Sequence, residues 1–127
     1  FFDENFFLYL ENVDLCLRQK NKNEKIFIIN NSEIKHFGAY TSKLDDSNNI
    51  EYLRNWHWMW SKFYYNKKHN GYLSAIIKTS HNFLSAILKY FFYSLIFKKH
   101  KKIIYKMRFL GLYNAIVGNK SFLRPEN

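Results

Sequence analysis

The chain has 127 residues, enough for one domain or a domain with an appendage, and its single cysteine, Cys16, excludes an internal disulfide framework. The net charge of +10 is unevenly spread: residues 1–51 carry −3 and residues 52–127 carry +13, with Glu126 the one acid of the second part. Aromatic residues make up 20% of the chain, and in the basic part they interleave with long apolar runs that a soluble nucleic-acid binder would have to hide. An anionic membrane surface is therefore the expected partner, and nucleic acid is not.

The first eighteen residues, FFDENFFLYLENVDLCLR, set Asp3, Glu4, Glu11 and Asp14 among Phe1, Phe2, Phe6, Phe7, Leu8, Tyr9 and Leu10. Carboxylates inside such a run are costly to bury unless a neighbour uses them. On spacing alone they cap a helix that starts near Asn12. A helix over Val13 to Lys20 places Glu11 and Asp14 one turn apart, facing one cleft. Cys16 reads as a buried apolar residue rather than a nucleophile.

The same stretch resembles the segment F-D-E-x-F-F-x-Y-x-E-D-x-D-L-C-x-R of family 2 glycosyltransferases, in particular their rhamnosyltransferase-like branch. The resemblance implies that the segment carries the catalytic carboxylate. Where that family has an acidic pair, this chain has Glu11 followed by Asn12. An amide cannot accept the acceptor's proton, and general-base assistance is typically a factor of ~10²–10⁴ in rate. The base in this chain is then Glu11 or Asp14, or it is missing. By the same resemblance Arg18 stands on the substrate side, bracing the segment through an ion pair. The fold implied is the C-terminal part of a GT-A, α/β nucleotide-diphospho-sugar transferase domain. The chain starts at Phe1 inside the motif, which is the expectation for a piece of a longer enzyme that would be inactive without its nucleotide-binding half.

Downstream, KIFII over Lys25–Ile29 reads as a short buried strand followed by the turn-forming Asn30 and Asn31. Glu33–Phe37 reads as a second strand, closed by Gly38. Helix, strand, strand fits the end of an α/β sheet domain. His36 lies at that strand end, where a lone histidine is by default a partly exposed residue. The run HFGAYTS is similar to a His-x-Gly-x-x-Ser segment of the same family. That similarity implies His36 as one ligand of a divalent metal (Mg or Mn) that neutralises the diphosphate, with Ser42 on the substrate side. Lys43–Asn49, including Asp45 and Asp46, reads as a solvated loop.

From Ile50 the period becomes helical. Leu53, Trp56, His57, Trp60, Phe63 and Tyr64 form one apolar face that ends near Lys68 or His69, ahead of Asn70-Gly71, and packs on the sheet domain. WSKFYYNKKHNG bears a weaker similarity to the family's acceptor-side helix, and Lys67, Lys68 and His69 are candidates for lipid phosphates. Tyr72–Phe97 is long enough to cross a bilayer, but Lys78 and Lys89 interrupt it. Ser74, Lys78, Asn82, Ser85 and Lys89 line up as a narrow polar stripe, which favours a helix lying in the membrane interface. Lys98, Lys99, Lys101, Lys102, Lys106 and Arg108 open a second basic helix to Val117, and the tail after Gly118 reads as loose.

The expected organisation is thus 1–49 as the end of a catalytic domain, 50–118 as a helical membrane-associating region and 119–127 as a tail. The expected activity is inverting transfer of a sugar, rhamnose among the candidates, from a nucleotide diphosphate donor to a cell-surface glycan or lipid-linked acceptor. Its expected place is peripheral, on the cytoplasmic face of the inner membrane. The alternative is a non-catalytic basic amphipathic module that binds a membrane or a partner.

Overall fold

The computed structural model describes residues 1–33, 35 and 47–124. Every regular element among them is an α-helix: α1 (Glu11–Asn21), α2 (Ser47–Asn70), α3 (Tyr72–Leu95) and α4 (Lys99–Ile116). The α/β, GT-A expectation is therefore wrong for the described residues, which form a helical bundle. Lys25–Ile29 is not a strand but an exposed coil, with Phe27 and Ile28 largely open to solvent. A strand must pair its backbone groups with a neighbour, and no second strand stands among the described residues to receive it. Most of the second expected strand, including His36, lies outside them, as do Ser42, Asp45 and Asp46.

The helices arise where apolar spacing has the helical period. In α2, Trp56, Met59, Trp60 and Phe63 recur at three- and four-residue intervals and are buried. They pack with Ala75 of α3 and with Leu112 and Ala115 of α4, so the stripe expected to cover a sheet covers two helices instead. Burying side chains of this size stabilises by about 1.5–3 kcal/mol each. Gly111 lets α4 approach α2 closely, because a Cβ at this position would collide with the Trp56 carbonyl. Gly71 (φ 83) breaks α2 from α3, and Phe97 (φ 55) turns α3 into α4.

Residues 119–124 are not loose. The Trp60 indole donates to the Asn119 carbonyl (2.9 Å), and His57 Nε2 meets the Leu123 carbonyl (2.8 Å). Phe122 packs edge-on against Trp56. Buried indole and imidazole groups require acceptors, and the chain end supplies them.

Candidate carboxylate site

The opening segment is held against α2 by charge. Asp14 is fully buried on α1, and it accepts from Arg18 Nε (2.8 Å), from His69 Nε2 (2.8 Å) and from Lys68 Nζ (2.7 Å). Lys68 also reaches Asp3 (2.7 Å), whose carboxylate accepts from the Tyr64 hydroxyl (3.1 Å). Arg18 donates a further bond to the Phe1 carbonyl (2.7 Å). Burial alone would raise the Asp14 pKa, but the bonds from Lys68, Arg18 and His69 outweigh it and hold the carboxyl below the usual range. Desolvation likewise works against the Lys68 ammonium, and Asp14 and Asp3 more than compensate, so it stays protonated beyond its ordinary range. Asp3 is lowered in the same way, against its own burial.

Glu11 is the opposite case. It stands at the first position of α1, and its Oε2 is buried with no hydrogen-bond partner among the described residues. The backbone before it is strained. Tyr9 (φ 70) and Leu10 (φ 66) both take left-handed conformations without being glycine. Such residues cost on the order of 1–3 kcal/mol each and persist only where the surroundings over-determine them. Here Ser61 donates to the Leu8 carbonyl (2.7 Å), and the Tyr9 ring meets Trp58 edge-on at 5.4 Å between centroids. No acid caps the helix as the spacing suggests, since Leu10 occupies the cap without a side-chain bond.

Beside this turn lies an open depression of about 250 Å³ lined by Tyr9, Arg54, Asn55, Trp58 and Arg108. Arg108 Nε donates to Asn55 (2.8 Å). The depression offers aromatic surface and guanidinium donors, groups suited to a hydroxylated or anionic ligand.

The structure thus divides the residues singled out in the sequence. Asp14 and Arg18 are joined, while Glu11 and the exposed Asn12 stand one turn away. His36 and Ser42 lie outside the described residues. Lys68 and His69 are engaged with carboxylates rather than turned to lipid, and Cys16 is exposed, not buried. Among the described residues no three His, Cys, Asp or Glu side chains are grouped to hold a metal. Asp3 and Asp14 do not fit one either, because their oxygens already face cationic donors. Tyr64, Arg54, Trp58 and Arg108 were not assigned to a site from the sequence. The acids of the opening segment and the basic last turn of α2 were both visible, but neither marks the other as a partner 55 residues away.

Compared with models of known protein families, with curated proteins and with solved structures, the chain finds no match in any of the three.

Proposed function

We propose that this chain provides the acceptor side of a glycosyltransferase, with Glu11 as the general base. The reading begins from the likeness of FDENFFLYLENVDLCLR to family 2 glycosyltransferases and concerns the chemistry of that segment, not an α/β fold. The observation that carries it is the contrast between two carboxylates one turn apart. Asp14 has its oxygens filled by Arg18, Lys68 and the His69 ring, which makes it a poor proton acceptor. Glu11 keeps an unspent buried oxygen behind a strained turn. In the proposed step, the Glu11 carboxylate takes the proton of an acceptor hydroxyl. That oxygen bonds to the anomeric carbon of the donor sugar, and the bond from this carbon to the nucleotide diphosphate breaks with its electron pair leaving on the diphosphate. In this reading the acceptor is received by the depression lined by Tyr9, Trp58, Arg54 and Arg108, beside the strained turn that leads into Glu11. The divalent metal belongs to this reading through His36 alone, and no step is routed through it.

The test is release of nucleoside diphosphate from a panel of nucleotide sugars by the natural gene product, with cell membranes as acceptor. Glu11→Gln is expected to lower the acceptor-dependent rate by ~10²–10⁴ with little change in donor KM. A Glu11→Gln enzyme at the wild-type rate overturns the assignment of the base, and no release from any donor overturns the transferase reading. A second reading, a binding module without chemistry, is favoured by the amide at Asn12. Its mark would be a silent wild type that Asn12→Asp turns into an active enzyme.

A further inference from the structure

The third helix is inside out. Its buried positions are small or hydroxylated, namely Ala75, Thr79 and Ala86, and the Thr79 hydroxyl is satisfied by the Ala75 carbonyl (2.7 Å). Ile76 and Phe83 pack against the core, but most of its large apolar side chains face away from the bundle. Leu73, Ile77, Leu84, Leu88, Phe91 and Leu95 are each more than half exposed, from 58% for Leu84 to 77% for Leu95. At 3.6 residues per turn these six fall within roughly 60° of arc, opposite the buried stripe. A continuous apolar ridge running the length of a helix is not what a free surface carries by accident.

What surrounds the ridge identifies its cover. Lys78 and Lys89 run along one flank, and Lys98, Lys99 and Lys101 crowd its C-terminal end, all exposed. Neither α3 nor α4 contains an Asp or Glu. A second copy of the chain set on this ridge would bring like-charged lysines together at its edge, which opposes a dimer. An anionic lipid surface meets both features at once, with acyl chains for the leucines and headgroup phosphates for the lysines. No described helix is long and apolar enough to cross a membrane. We infer that α3 lies in the plane of a leaflet containing anionic phospholipid, its Leu73–Leu95 ridge at the acyl boundary and its lysines at the headgroups. This inference goes beyond the transferase reading and stands without it.

Co-sedimentation with vesicles of phosphatidylcholine, with and without added phosphatidylglycerol, tests it, because vesicle binding needs no sugar donor. The chain is expected to bind the anionic vesicles and to release as salt is raised. Leu84→Ser/Leu88→Ser/Phe91→Ser, all at exposed positions, should keep the far-ultraviolet dichroism of the wild type and lose binding by about tenfold or more. Lys98→Gln/Lys99→Gln/Lys101→Gln should lose about fivefold per lysine on anionic vesicles alone. Failure of the wild type to bind, equal binding to both vesicle types, or unchanged binding of the serine variant overturns the inference. So does a concentration-dependent dimer that the serine variant abolishes without vesicle binding, since the ridge would then be covered by a second copy.

Discussion

Asp14→Asn removes one negative charge from the centre of the cluster while keeping the shape of the side chain. Three charge-assisted bonds are weakened, from Arg18, Lys68 and His69. Hydrogen bonds to charged groups contribute about 1.5–3 kcal/mol each, and breaking a buried pair by removing one partner costs about 3–5 kcal/mol. The full sum does not apply. Arg18 and Lys68 keep 31% and 26% of their side chains in solvent, and Lys68 retains Asp3, so both cations recover part of what they lose. The expected loss is about 3 kcal/mol, read as a lowered urea midpoint at unchanged slope when unfolding is followed by circular dichroism. The pH dependence has a fixed sign. Because the folded-state pKa of Asp14 is depressed, its contribution is complete above the unfolded carboxylate range and disappears as pH falls through the folded value. The gap between wild type and variant should therefore be constant near neutrality and close in acid. A loss below about 1 kcal/mol, the range of surface ion pairs, or a gap that does not close in acid would refute the claim that Asp14 fastens the opening segment to α2.

Two further predictions rest on the bundle itself. Gly111→Ala should destabilise by about 2 kcal/mol or more, because the colliding atom is the Trp56 backbone carbonyl and cannot swing aside; equilibrium unfolding of the variant reads this directly. His57 is buried between Ser121 (3.0 Å to Nδ1) and the Leu123 carbonyl, and desolvation pushes its pKa below the ordinary 6.5. The unfolded chain then binds the extra proton first, so stability should fall as pH drops below about 6.5, and His57→Gln should flatten that slope in urea titrations across this range.

The helices were legible in the sequence because their apolar residues repeat at the helical period, and α2 is the clearest instance: Trp56, His57, Trp60 and Phe63 are all buried as the spacing requires. The strands were not, and KIFII shows why. A β-branched run states a local preference, but a strand exists only if another backbone pairs with it, and nothing local in Lys25–Ile29 reveals whether one does. The polar stripe of α3 was also visible. Which of its two remaining faces turns inward was not, because that depends on the α2 and α4 side chains that receive Ala75, a property of the neighbours and not of the α3 pattern alone.

The same distinction governs the candidate site. Spacing places Glu11 and Asp14 one turn apart on α1, and spacing alone makes them equivalent. They are separated by α2, whose last turn delivers Lys68 and His69 to Asp14 and nothing to Glu11. Asp14 is fixed among donors, whereas Glu11 Oε2 is left buried without one. Asn12 fits this division, since an exposed amide next to Glu11 adds no competing charge at the helix start. The two acids thus have different surroundings because the last turn of α2, about 55 residues later in the chain, supplies partners to only one of them.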